Sequence, residues 1–270
     1  MKHKEEKIKS VVITGSGSGL GKEAALTLAR RGHHVYATTQ YDNEADTLNQ
    51  LAKEENIPLE AFKLDILLDE DRNQLLDIDF DVLINNAAIG DSGSVCEIRV
   101  DRFENVFETN VFSNIKVTQI ALKKLIEKKK GRVIFLSSLA GRITIPFLSP
   151  YCASKFAIEG FASSLRKEMK QLDGCHIQIG MIEPGAYATG FNKENNEKKY
   201  TWMEQESYFR YKLPEIKEKE EKTFNFLEGK NFTSIVKQYV HSVEDTTVKH
   251  RYTAPKVQAF FIQLGRIFGM

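Results

Sequence analysis

Thr14-Gly15-Ser16-Gly17-Ser18-Gly19-Leu20-Gly21 decides how the rest of this chain is read. A β-branched run, Ile8–Thr14, leads into it, and a helical pattern, Leu20–Arg31, leaves it and stops at Gly32. Glycines between a strand and a helix permit a tight turn, and the free N–H groups of the helix's first turn can face a pyrophosphate. Spacing separates the phosphate loops. GxxxxGK[ST] fails, because Ser16 stands where its first glycine belongs and Glu23 replaces its hydroxyl. GxGxxG fails, because Leu20 occupies its third glycine. TGxxxGxG fits through Gly15, Gly19 and Gly21. Taken alone, the loop also reads as a flexible turn without a ligand.

Working outward, strand-like runs alternate with helical ones. His34–Thr39, Leu59–Leu64, Phe80–Asn85, Arg132–Ser137 and His176–Ile182 read as strands; Asn43–Glu55, a short segment at Asp69–Leu76, Asp101–Lys129 and Tyr151–Leu172 read as helices. Strands apolar on both faces, alternating with helices, predict a doubly wound α/β fold: one Rossmann-type domain over 1–270, with a parallel sheet of about seven strands. After Pro184 the chain turns polar but carries Phe191, Tyr200, Trp202, Tyr208, Phe209 and Tyr211. This stretch, about 187–225, reads either as a lid over a substrate or as aromatics that pack the segment onto the sheet. An apolar tail follows at about 257–270, read as a subunit contact or a membrane-surface contact.

Composition narrows the function. Lys+Arg 38 against Asp+Glu 37 gives a net charge of +1, which removes the electrostatic reason to expect a nucleic-acid partner. No apolar run approaches the roughly 18 residues of a membrane span. Residues 1–10 are charged and offer no signal-peptide core. Cys96, Cys152 and Cys175 are odd in number and lack CxxC spacing, and the six His show no ligand spacing. The expectation is a cytoplasmic protein without a metal site.

Thr14-Gly15-x-x-x-Gly19-x-Gly21, Asn85-Asn86-Ala87, Ser138, Tyr151-x-x-x-Lys155 and Pro184-Gly185 follow one another in an order and spacing that resembles the short-chain dehydrogenase/reductase family, over about residues 8–190. Tyr151 and Lys155 lie one turn apart on a helix face, where an ammonium favours the phenolate and draws the Tyr pKa toward neutrality. The resemblance implies an NAD(P)-dependent oxidoreductase with Tyr151 as acid/base. Lys155 would bind the nicotinamide ribose, Ser138 would hold the reacting oxygen, and Asn110 would support a proton relay. Ser137 is the alternative to Ser138. The resemblance places Gly15, Ser16, Ser18, Gly19, Leu20 and Gly21 on the pyrophosphate and Thr39 and Gln40 at the adenosine ribose. It further places Asp65 and Ile66 at the adenine, Asn86 and Ala87 near its ribose, and Pro184, Gly185 and Thr189 at the nicotinamide. Asp65 also reads as a helix N-cap. The sequence departs from the family at Ala88, where Gly is common, and at Tyr187, where a small aliphatic is usual.

Thr39-Gln40-Tyr41 carries neither acid nor base at the end of the second strand, and Ser18 is uncharged. Nothing there repels a 2′-phosphate, so the expectation is NADP, with NAD if the following turn brings Asp42 inward. Tyr151–Gly160 resembles the hydroxysteroid/retinol dehydrogenase branch, which implies a lipophilic alcohol, ketone or aldehyde as small-molecule substrate. Family habit implies a homodimer or homotetramer through the two long helices. The alternative to an enzyme is a catalytically silent NAD(P)-sensing protein of the same fold. Sugar epimerisation or dehydration is a further rival, disfavoured because its TGxxGxxG loop is missing.

Overall fold

The computed structural model describes residues 8–267. Its frame is set by strands with no exposed face: Val11, Val12 and Ile13 of β1 (Ser10–Ile13) and Val82, Leu83 and Ile84 of β4 (Val82–Asn85) are fully buried. Each such side chain contributes about 1.5–3 kcal/mol, and only a sheet covered on both sides provides that burial. With β2 (His34–Thr39), β3 (Leu59–Lys63), β5 (Lys130–Leu136), β6 (His176–Pro184) and β7 (Arg251–Ala254), they form a seven-stranded parallel sheet in the order β3-β2-β1-β4-β5-β6-β7.

Strand alternation sends Val11 and Ile13 to one face and Val12 to the other. The first face packs on α1 (Gly19–Arg30), α2 (Asp42–Glu55) and a late helix, α10 (Thr233–Glu244). The second packs on α5 (Asn114–Glu127) and α6 (Ser149–Met169), with the short α3 (Asp69–Asn73) and α4 (Val100–Phe107) beside them. The chain leaves β1 toward β2 and returns past it to β4. Both connections diverge there, opening a crevice at the carboxyl ends of β1 and β4.

The helix expected to run unbroken over Asp101–Lys129 is divided. Between α4 and α5, residues Glu108–Ser113 form a π-helical turn. The wider turn frees carbonyls from the α-helical ladder, and Asn114 takes up two of them: Nδ2 donates to Thr109 O (3.1 Å) and Asn110 O (3.0 Å). One inserted residue leaves the apolar periodicity nearly intact, so the sequence pattern does not reveal it.

After β6 come α7 (Phe191–Glu197), α8 (Tyr200–Glu206) and α9 (Leu213–Leu227). The aromatics of this stretch take different surroundings. Tyr200 joins Met203 and Leu213 in a small core with Trp202, Phe209 and Phe147, whereas the Phe191 ring lies tilted against Tyr151 with centres 5.6 Å apart, and Tyr208 and Tyr211 are exposed. Helix α11 (Lys256–Ile267) follows β7 with Val257, Phe260, Phe261 and Ile267 exposed; residues 268–270 of the expected apolar tail, and residues 1–7, lie outside the described chain. Phe112 and Phe156 are exposed on the long-helix face where the resemblance expects subunit contact. Among the described residues no helix is long and apolar enough to cross a membrane.

Candidate active site

The glycine loop is a backbone device. Gly15 (φ +66°) and Gly19 (φ +56°) adopt left-handed conformations that other residues resist. Gly21 admits no side chain either, because a Cβ there would run into Gly15 O and Asn86 Nδ2. Ser18 is the N-cap of α1, but its side chain makes no capping bond, and no acid sits in the first turn. The amides of that turn therefore remain free for an anion.

Asn86 fixes the loop from β4. Its Nδ2 donates to Thr14 O and Gly15 O (both 2.9 Å), its Oδ1 accepts from Tyr239 Oη of α10 (2.7 Å), and Thr14 Oγ1 accepts from the amides of Asn86 (3.0 Å) and Ala87 (3.1 Å). Asn86 borders the cavity, yet its side-chain amide is spent on the fold. The sequence carries no local mark of this bond, since Tyr239 lies on an amphipathic helix and is 153 residues downstream of Asn86.

The crevice is a cavity of about 1240 Å³. Gly15, Ser18, Gly19, Leu20, Gly21, Gln40, Asp65, Ile66, Asn86 and Ala87 line one end; Ser138, Tyr151, Lys155, Pro184, Gly185 and Thr189 line the other. Ser16 and Thr39 do not line it. Their hydroxyls turn into the fold and satisfy the carbonyls of Ile13 (3.0 Å) and Tyr41 (2.9 Å). Asp65 is no helix cap: its Oδ1 accepts from Leu67 N (2.9 Å) in a tight turn, and α3 starts later, after Leu68. Ala88 lacks a positive φ, so a β-carbon is tolerated where the family commonly has Gly. Tyr187 is buried, donating or accepting at Ser234 Oγ (2.7 Å) with its ring edge-on to Phe232.

At the second end, α6 starts with Pro150 in its first turn and carries Tyr151 and Lys155 on one face. Lys155 Nζ donates to Leu136 O at the end of β5 (2.8 Å) and stands 5.5 Å from the centre of the Tyr151 ring. Ser138 caps a 3-10 turn, its Oγ accepting from Ala140 N (3.1 Å) and reaching Pro184 O (3.4 Å). Ser137 also borders the cavity, but its hydroxyl is packed against Gly141 and has no hydrogen-bond partner among the described residues. Asn110, at the centre of the π-turn, is not in the wall. Its amide clamps Ile89 through both backbone groups (2.8 Å each) and donates to Ser154 Oγ (3.0 Å), which in turn donates to Tyr151 O (2.7 Å).

The charge states depart from expectation. Burial pushes the Tyr151 phenol up to about 12, partly offset by the neighbouring Ser138 hydroxyl, while burial drives Lys155 down to about 7 against the pull of Glu159. Lys155 does not draw the phenol toward neutrality here. It lies over the ring face with its hydrogen bond directed to Leu136, and its own charge is half lost near pH 7.

A short chain dehydrogenase family model matches residues 9–200. The chain belongs to the short-chain dehydrogenase/reductase family. It is 35% identical over 199 residues to the "Probable short-chain type dehydrogenase/reductase VdlC" of Helicobacter pylori, covering 70% of this chain and 69% of that one. It is 34% identical over 191 residues to retinol dehydrogenase 8 of Bos taurus, covering 68% and 60%. Two solved structures superpose over nearly the whole chain. A short-chain dehydrogenase/reductase of Burkholderia phymatum in complex with NAD has a TM-score of 0.80 at 16% identity, covering 97% and 94%. A single-substitution variant of actinorhodin polyketide ketoreductase with NADPH has a TM-score of 0.77 at 20% identity, covering 92% and 95%. The short-chain dehydrogenase/reductases are oxidoreductases, and this seven-stranded Rossmann fold is theirs.

Proposed function

We propose that this short-chain dehydrogenase/reductase reduces the carbonyl of a lipophilic small molecule, with Tyr151 as the proton donor. The observation that carries this reading is the convergence of Tyr151, Ser138 and Lys155 on one wall of a cavity whose other end is a phosphate-ready glycine loop. The uncapped first turn of α1 and the glycines beside it fit a dinucleotide pyrophosphate. Pro184, Gly185 and Thr189 would hold the nicotinamide end, and Lys155 would hold its ribose. When bound, the nicotinamide supplies or accepts the hydride.

The chain's own groups do the rest. Ser138 orients the substrate oxygen, and Tyr151, kept protonated by burial, gives that oxygen its proton. A phenol held near 12 is protonated at neutral pH, the form that carbonyl reduction uses. Asn110 is a positioning residue that fixes Ile89 and, through Ser154, the turn of α6 carrying Tyr151. Ile143, Ile145, Leu148, Phe191, Phe224 and Leu227 line the substrate side, so the cavity suits an apolar ketone or long-chain aldehyde, with α7–α9 as its lid. The name of the retinol dehydrogenase relative points to an apolar alcohol too.

The test is turnover of reduced nicotinamide with a panel of apolar ketones and aldehydes, run beside dinucleotide binding. Tyr151→Phe is expected to lose about 10²–10⁴ in turnover and to keep dinucleotide affinity. Turnover retained in that variant would sink the assignment. A wild type that binds dinucleotide but turns over nothing in the panel would favour a sensing protein instead.

A further inference from the structure

At the end of β2, Thr39 Oγ1 is engaged on Tyr41 O and Gln40 Nε2 reaches Asp65 Oδ2 at 3.3 Å, while Ser18 of the glycine loop lines the cavity uncharged. Asp42 stays exposed on the first turn of α2 and outside the cavity wall.

An acid does arrive, two residues later. Glu44 is half-buried and lines the cavity at the glycine-loop end. Its Oε2 accepts from Tyr41 N (3.4 Å), which aims the side chain back over the start of α2. The carboxylate rests directly on Gly17: a β-carbon at that glycine would stand 2.5 Å from both Glu44 oxygens. Among the described residues, the charged side chains lining this end are Glu44 and Asp65, both acids; the lysines in the wall, Lys155, Lys198 and Lys219, belong to the catalytic end and the lid.

We propose that Glu44 makes this chain select a dinucleotide whose adenosine ribose carries a free 2′-hydroxyl, NAD(H), over NADP(H). This rests on the dinucleotide reading above and reverses the preference expected from the strand end alone. A carboxylate accepts a hydrogen bond from a ribose hydroxyl and repels a phosphate, which needs Arg or Lys to bind tightly. Glu44 does this from the first turn of a helix, in place of an acid at the strand end.

Calorimetric titration of the purified protein with NAD⁺ and with NADP⁺ measures the preference without any turnover. Wild type is expected to bind NAD⁺ at least about tenfold more tightly, since like charges placed together cost more than that ratio requires. Glu44→Gln keeps an oxygen for the Tyr41 amide and removes the charge, so its ratio is expected to fall to within about threefold. Added salt should narrow the wild-type ratio and leave that of the variant nearly unchanged. NADP⁺ binding as tightly as NAD⁺ to wild type would overturn the proposal, whether or not the variant folds. An unchanged ratio in a folded Glu44→Gln would overturn it as well. Failure of both dinucleotides to bind wild type would instead bring down the dinucleotide reading on which it stands.

Discussion

The two ends of the cavity handle polar groups in opposite ways. At the glycine-loop end, side-chain donors and acceptors are consumed within the fold: Asn86 on Thr14 and Gly15, Ser16 on Ile13, Thr39 on Tyr41, Gln40 on Asp65. What remains for a ligand is backbone amides, the Ser18 hydroxyl and the sign of a carboxylate. At the catalytic end, Lys155 is buried and Tyr151 half-buried, and their ionisation is displaced, the phenol upward and the amine downward. One end gains rigidity from its polar atoms, and the other retains poised groups whose burial disfavours their charged forms. Fold stability and dinucleotide binding should therefore respond together at the first end, whereas stability and turnover should respond in opposite directions at the second.

The sharpest break between the two views of Tyr151 is the pH dependence of alcohol oxidation. That direction needs the phenolate. With the phenol held near 12, its ionised fraction grows about tenfold per pH unit, so kcat/KM for oxidation should rise by about 10³ between about pH 7 and pH 10 without levelling. Carbonyl reduction, which uses the protonated phenol, should not rise over that range. A plateau near pH 8 in the oxidation profile would restore the view that Lys155 draws the phenol toward neutrality.

The loop end is tested by Asn86→Ala. Truncation strands Thr14 O, Gly15 O and Tyr239 Oη in a buried site, where each unpaired group costs about 1–3 kcal/mol. Partial relaxation should leave a loss of about 2–4 kcal/mol in unfolding free energy, accompanied by weaker dinucleotide binding. Denaturant titration and calorimetry read the two effects. Weaker binding at unchanged stability would mean that Asn86 contacts the dinucleotide directly, as the family resemblance implies.

How much of this was legible in the chain follows from how local each feature is. The β1–loop–α1 unit was readable because its glycine spacing and β-branched run lie within one short stretch. The Tyr151-x-x-x-Lys155 pair was readable because four residues are one helical turn. β7 was not: Arg251–Ala254 is four residues, half of them polar, and becomes a strand only by pairing with β6. Glu44 was missed for a different reason. Its residue type was plain, but a helix-start glutamate normally reads as a cap, and only the fold sets it on Gly17. The state of Tyr151 depends on burial from several elements at once, which spacing along one helix does not encode.

Lys155→Met probes the effect with the least ordinary sign. The amine titrates near 7 in the fold and at 10.5 in the unfolded chain. Between those values the unfolded state binds more protons, so this group's contribution to stability rises with pH from about 7 to about 10.5. Below about pH 7 the fold bears the full penalty of burying an ammonium; near pH 10 it bears almost none. Methionine removes that penalty but also leaves Leu136 O without its donor, a loss that is the same at every pH. The difference in Tm between variant and wild type should therefore shift in favour of the variant by several degrees on going from about pH 10 to about pH 6, while turnover falls. Thermal melts at the two pH values measure this directly. A difference that does not change with pH would mean that Lys155 holds its proton in the fold as it does in the unfolded chain, and that the catalytic end carries no stored cost for the loop end to contrast with.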